Sequence, residues 1–324
     1  MEEQYIKLSD LYRVKGIGEK TIERIKETLL QEKNDNTYNN KNIKYKDTFD
    51  LSLNNFYIGE SVEWMQDNMP SDFVDLTVTS PPYDNLRTYK GFEFDYKAML
   101  KELYRVTKKG GVVVWIVNDA TINGSETGAS FKQALYAKEE VGFNLHDTMI
   151  YHKINPIPIK QNRYYPCFEY MFVFSKGKPK IFNPLVRKSL SVGTKVRARQ
   201  RTGIDSNIKK PTGKNPTQEY SIAYNLWSYK VGGIGQTSTD KIAYNHPAQF
   251  PEKLAADHIL TWSNPCDIIF DPMCGSGTTC KMAYLNNRKF IGVDCSEEYI
   301  NDICIPRLKS YGWNEDKVEK IISQ

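Results

Sequence analysis

Asp267-Ile268-Ile269-Phe270-Asp271-Pro272-Met273-Cys274-Gly275-Ser276-Gly277-Thr278-Thr279 opens with an apolar run that reads as a buried strand and closes on an acid. A Gly-Ser-Gly turn follows, then a segment of Ala, Leu and Met character that suits a helix. Glycines let a backbone turn tightly and come close to a ligand at a helix N-terminus. Lys289-Phe290-Ile291-Gly292-Val293-Asp294 is a second strand that also ends in an acid. An acid at that point is how a βαβ unit holds ribose hydroxyls. The turn lacks the Gly-Lys-Ser/Thr of a phosphate loop, which argues against a nucleoside triphosphate, and no Gly-x-Gly-x-x-Gly fingerprint is present.

A second strand end carries chemistry of another kind. Phe73 to Val78 is apolar and runs into Thr79-Ser80-Pro81-Pro82-Tyr83. Two successive prolines neither continue a helix nor donate to a sheet ladder, so the chain must leave the sheet in a stiff turn. Open α/β sheets place their chemistry at such carboxyl ends. The Ser80 hydroxyl and the Pro81 carbonyl can accept hydrogen bonds from an amino group, and the Tyr83 ring can stack on the ring bearing it. A Pro-Pro turn that merely closes a strand is the plainer alternative.

Together the two stretches resemble the S-adenosylmethionine-dependent amino-methyltransferases of DNA. That family's target motif is Asp/Asn/Ser-Pro-Pro-Tyr/Phe and its cofactor motif is Asp-Pro-Phe-x-Gly-Ser-Gly-Thr-Thr. Met273 stands at the usual Phe position and Cys274 at the variable one. The target motif comes first, as in the β-class, and the resemblance extends from about Asp50 to Pro306. It implies Ser80, Pro81, Pro82 and Tyr83 as the target-amine residues. For the cofactor it implies Asp271, Pro272, Cys274, Gly275, Ser276, Gly277, Thr278 and Asp294. Phe250 and Pro251, in Asn245-His246-Pro247-Ala248-Gln249-Phe250-Pro251, are implied to cover the methionine end. His246 itself reads as a structural hydrogen-bonder.

The remaining elements fit a Rossmann-like, doubly wound, mostly parallel α/β sheet. Asn54–Gly59 reads as a strand, with Ser61 as a possible cap for a helix to about Asn68. Tyr96, Met99, Leu100, Leu103 and Val106 repeat at helical spacing, with Lys109-Gly110-Gly111 as the expected stop. Val112–Val117 is a buried strand; Asn118 and Asp119 at its end read equally as functional or as capping residues. Phe131–Glu140 is helical. Thr148–Tyr151 and Tyr170–Phe174 are expected to form an antiparallel terminal hairpin.

Around this core the expected organisation is a helix-hairpin-helix-like module over 1–30, a linker over 31–47, the target-amine half over 48–175, a basic insertion over 176–244 and the cofactor half over 245–324. Lys15, Gly16, Gly18 and Lys20 at the N-terminal hairpin suit a phosphate contact; a plain αα-hairpin used for packing stays open. From Lys176 to Lys214 there are 12 Lys or Arg and one acid, Asp205. Lys195, Arg197, Arg199 and Arg201 alternate along what reads as one strand face and suit DNA phosphates. The insertion lies where the family keeps its target-recognition region. Trp227, Tyr229 and Tyr244 read equally as base-stacking or core residues.

A net charge of +5 suits an acidic partner. No stretch reads as a membrane span or signal core. The six cysteines show neither zinc spacing nor a disulfide framework, so no metal is expected and a cytoplasmic setting is. The expected activity is methyl transfer to the exocyclic amine of a flipped base in DNA, cytosine N4 before adenine N6, because Ser at the first motif position accompanies cytosine in the family. A cognate restriction endonuclease is a possible partner. Cytosine-C5 chemistry would need a thiolate nucleophile, and neither Cys167 nor Cys266 has the turn context for one. An RNA or protein-glutamine methyltransferase and a catalytically idle DNA-binding protein are the remaining alternatives.

Overall fold

A computed structural model describes residues 51–82, 94–158, 162–193, 217–315 and 319–321. The N-terminal module with Lys15, Gly16, Gly18 and Lys20, the linker, Tyr83, and Lys195, Arg197, Arg199 and Arg201 lie outside the described residues.

Eight strands form the central sheet: β1 (Asn55–Ile58), β2 (Val74–Thr79), β3 (Thr107–Val117), β4 (Asn144–Lys153), β5 (Phe168–Ser175), β6 (Leu226–Tyr229), β7 (Ile268–Asp271) and β8 (Lys289–Asp294). Their spatial order is β6-β4-β5-β3-β2-β7-β8-β1. Every neighbouring pair is parallel except the two made by β5, which runs antiparallel to β3 and β4. The expected parallel sheet and antiparallel pair are therefore present. The pair is longer than expected, and β6 adds one more parallel strand outside β4.

Both faces of the sheet are covered because the strands alternate. Val112, Val114 and Ile116 of β3 face one core, with Leu76 and Val78 of β2. That core also takes Leu254, Ile259 and Trp262 of helix α4 (Glu252–Trp262) and Cys280 and Ala283 of helix α5 (Thr278–Leu285). Val113, Trp115 and Val117 point the other way. They meet Leu100, Leu103 and Val106 of helix α2 (Tyr96–Val106) and Ala134 of helix α3 (Ala129–Tyr136), with Trp64 and Met65 of helix α1 (Ser61–Asn68) in the same core.

Several local expectations are refined. The N-cap of α1 is Glu60, whose carboxylate accepts from the Val62 and Glu63 amides; Ser61 is the first helical residue and turns its hydroxyl to the Pro272 carbonyl. Helix α2 ends at Val106, not at the Gly pair. The chain passes straight into β3, because Thr107 already pairs with Val74 of β2 and the register shifts before Leu76. Gly110 takes φ +86 there, and a Cβ on it would lie 2.5 Å from the Lys180 side chain. Asp119 is a capping residue: its carboxylate accepts from the Ser130 amide at 2.9 Å and the Ser130 hydroxyl at 2.6 Å, at the start of α3.

The connection from β2 runs through α2 to β3 on one side. That from β7 runs through α5 to β8 on the other. Strands β2 and β7 are therefore the topological switch point, where an open α/β sheet forms a crevice at its carboxyl edge.

Candidate active site

The two motifs meet at that crevice. Leu76 and Thr77 of β2 pair with Ile269 and Phe270 of β7, so Thr79-Ser80 and Asp271-Pro272 leave adjacent parallel strands side by side. Thr79 Oγ1 donates to Asp271 Oδ1 at 2.8 Å, and Thr279 Oγ1 donates to the Val78 carbonyl at 2.9 Å. Both bonds are buried and span about two hundred residues of sequence. Ser80 and Pro82 are partly exposed at the rim, and Pro81 is buried beneath them.

The glycine turn is tightly determined. Its Cys274 amide donates to the Val293 carbonyl of β8 at 2.9 Å, and the Gly277 amide closes back on the Cys274 carbonyl at 2.7 Å. Gly275 (φ +50) and Gly277 (φ +73) are left-handed, a region most L-residues avoid. A Cβ on Gly275 would lie 2.8 Å from His246 Nε2. The imidazole lies edge-on to the Tyr299 ring, with centroids 4.5 Å apart, and its Nδ1 faces the Ala248 carbonyl. His246 therefore walls the turn, consistent with a structural hydrogen-bonder. Phe250 packs on the core beside it and Pro251 forms the N-cap of α4, directly before Glu252.

Two carboxylates face this turn. Asp271 is 1% exposed and Asp294 is 8% exposed. Burial pushes the Asp271 carboxyl up to about 6 and repulsion from Asp294 adds to this, against the lowering effect of Thr79, the Met273 amide and Thr279. Burial also raises Asp294, opposed by backbone bonds from Ser296 and Gly275. Those bonds are 2.8 Å from the Gly275 amide to one oxygen and 2.9 Å from the Ser296 amide to the other. A carboxylate has about four lone-pair sites, so Asp294 keeps capacity for further donors such as ribose hydroxyls. Two buried acids beside a glycine turn that tolerates no Cβ fit a ligand carrying positive charge and a ribose.

Four of the cysteines are ill placed to supply a nucleophile at this rim. Cys274, Cys280 and Cys304 are fully buried, and burial pushes each thiol up. Cys266 precedes β7 and so sits at the opposite, amino end of the strand. Tyr229 proves to be core, its hydroxyl donating to Asp257 at 2.8 Å, and Trp227 packs on His258. Among the described residues, no cluster of His, Cys, Asp or Glu could hold a metal. Reasoning from sequence overlooked Thr279 and the hydroxyl of Thr79 as the ties between the motifs. Both lie inside the quoted stretches, but only strand adjacency turns them towards each other.

A doubly wound sheet with a glycine turn and two strand-end acids at its switch point defines a cofactor-binding α/β enzyme domain. A family profile of N6/N4 methyltransferases, described as DNA methylase, matches residues 74–304. The orphan methyltransferase M.BamHII of Bacillus amyloliquefaciens is 54% identical over 250 residues, covering 76% of this chain and 93% of that protein. The DNA adenine methyltransferase YhdJ of Escherichia coli K12 is 28% identical, over 72% and 75% of the two chains. The solved structure of the cytosine-N4-specific PvuII DNA methyltransferase shares the fold, with a TM-score of 0.56 at 22% identity over 81% and 92% of the two chains. The chain belongs to this DNA methylase family and is an S-adenosylmethionine-dependent DNA amino-methyltransferase. No helix among the described residues is long and apolar enough to cross a membrane.

Proposed function

We propose that the chain methylates the exocyclic amine of a base flipped out of duplex DNA, and that the base is cytosine, at N4. The juxtaposition of the two motif turns, joined through the Thr79–Asp271 bond, is the observation that carries transfer to an amine; Ser80 at the first motif position, more often found with cytosine in the family, favours N4. S-adenosylmethionine, when bound, supplies an electrophilic methyl on a sulfonium. Asp271 would face its cationic methionine end, the backbone from Gly275 to Thr278 would hold it closely, and Asp294 would accept from its ribose hydroxyls. Phe250 and Pro251 cover the methionine end.

An aromatic exocyclic amine is a weak nucleophile because its lone pair is conjugated with the ring. The Ser80 hydroxyl and the Pro81 carbonyl accept its two hydrogens. That favours a pyramidal nitrogen and stabilises the positive charge it acquires. Fixing the nitrogen in line with the methyl supplies much of the remaining acceleration. Pro82 stiffens the turn, and Tyr83 stacks on the flipped base. The basic stretch from Lys176 to Lys214, with Lys195, Arg197, Arg199 and Arg201, tracks the phosphates, and the N-terminal segment with Lys15, Gly16, Gly18 and Lys20 adds a contact blind to sequence.

Adenine N6 is the second reading, supported by YhdJ among the relatives. A neutral hydroxyl and a carboxylate can both accept an amine hydrogen, so Ser80 does not exclude it. Digestion of methylated DNA to nucleosides, with mass identification, separates the two. N4-methylcytosine is expected; N6-methyladenine alone would overturn the base assignment and leave the rest standing.

A further inference from the structure

The densest buried charge in the described residues lies behind the glycine turn, among groups with no role assigned above. Lys281 of α5 and Arg307 of helix α6 (Ile305–Lys309) are each 1% exposed. They face two acids, Asp240 ahead of α4 and Glu252 at its first residue. Lys281 Nζ donates to Asp240 at 2.7 Å, Glu252 at 2.9 Å, Tyr311 at 3.0 Å and Thr239 at 3.2 Å. Arg307 donates through Nε to Asp240 at 2.7 Å and through Nη2 to Glu252 at 2.7 Å and Ser238 at 3.1 Å. Its remaining arm points elsewhere: Nη1 donates to the Ser276 carbonyl at 2.6 Å and to Thr278 Oγ1 at 3.1 Å.

Two cations against two acids leave the cluster neutral. Burial opposes the charge on Asp240, but bonds from Lys281, Tyr311 and Arg307 outweigh it and hold the carboxyl at about 2. Such clusters are poor stabilisers compared with an apolar core of the same volume. Their strength is geometry, and a planar guanidinium with five donors in a fixed fork is the side chain suited to holding several acceptors in one arrangement. Lys281 reaches only the acids and hydroxyls of the cluster, whereas Arg307 also reaches the turn.

We infer that Arg307 is a positioning residue for the methyl donor: it locks the Ser276 carbonyl, and with it the pitch of the Gly275–Thr278 turn, to the Ser238–Glu252 segment. That segment carries Phe250 and Pro251 just before Glu252, so the guanidinium joins the turn beneath the donor to the residues that cover it. The inference rests on the reading that this turn binds S-adenosylmethionine.

The test uses the full chain, with S-adenosylmethionine titrated by calorimetry and kcat, KM and Tm measured alongside. Arg307→Lys keeps the charge and can reach the acids but loses the planar fork to Ser276. Its Kd and KM for the donor are expected to rise about tenfold, the size of one charge-assisted hydrogen bond. Its kcat should stay within about twofold on that account, since no reacting atom is touched. Tyr311→Phe removes a hydroxyl that bonds Lys281 and Asp240 but not Arg307; it should lower Tm and leave donor affinity within about twofold. Lys309→Gln, an exposed cation on the same helix, should change neither. Donor affinity in Arg307→Lys equal to wild type would overturn the inference. So would affinity falling in step with Tm in both variants. If Arg307→Lys does not fold, amide exchange on the wild-type chain decides: donor binding should slow exchange at Ser238–Asp240 as well as in the turn, and protection confined to the turn refutes the coupling. A wild-type chain that binds no donor would overturn the reading of the turn, and the inference with it.

Discussion

Asp271→Asn should change how stability depends on pH, with a sign and size that follow from burial. Asp271 ionises near 6 in the folded protein against 3.8 ordinarily. A group raised on folding contributes stability that is fully present below its unfolded value and lost as pH rises through its folded value. The rise from 3.8 to about 6 corresponds to about 3 kcal/mol lost by pH 8 relative to strong acid. Roughly half of that loss falls below pH 5 and half between pH 5 and 8.

Asparagine cannot ionise, so the variant lacks this term. It also makes poorer partners for Thr79 and Met273, which costs a constant amount that cancels when one protein is compared with itself across pH. Asp294 is present in both chains, and its repulsion of Asp271 is part of what the variant removes. Urea unfolding without cofactor, at intervals from pH 5 to 8, measures the quantity directly. The stability of Asp271→Asn minus that of wild type should rise by roughly 1–2 kcal/mol across this range. In Tm this is roughly 3–6 °C. A difference flat to within about 0.5 kcal/mol, or one that falls with pH, would refute a buried, strained carboxylate at this position.

The same charge should make donor affinity pH-dependent. Because Asp271 must lose its proton to face a cationic group, S-adenosylmethionine should bind more weakly as pH falls through about 6, and Asp271→Asn should lose both affinity and that dependence in calorimetry. Gly275→Ala drives a Cβ to within 2.8 Å of the His246 ring in a left-handed conformation; it should lower donor affinity tenfold or more, and His246→Ala in the same chain should restore part of it. If the second change brings no recovery, His246 does not wall the turn. Ser80→Ala and Tyr83→Ala should lose kcat by about a hundredfold or more while keeping donor affinity; parallel loss of both would remove the roles assigned to them.

The sequence alone determined the class of fold and the two ends of the chemistry. Strands that alternate with helices, close on acids or prolines and feed glycine turns have few ways to pack, and glycine or proline at a turn is a local constraint that sequence displays openly. Local signals failed where a tertiary partner outweighed them. Gly110-Gly111 reads as a helix stop, yet it lies in β3 because Thr107 pairs with Val74. Ser61 reads as a cap, yet its hydroxyl goes to Pro272. Only the tertiary structure decided that Thr79 touches Asp271, that His246 closes on Gly275, and that Arg307 reaches through a buried charge cluster to Ser276. Each of these contacts joins segments tens to hundreds of residues apart, and only the order of strands in the sheet brings them within bonding distance.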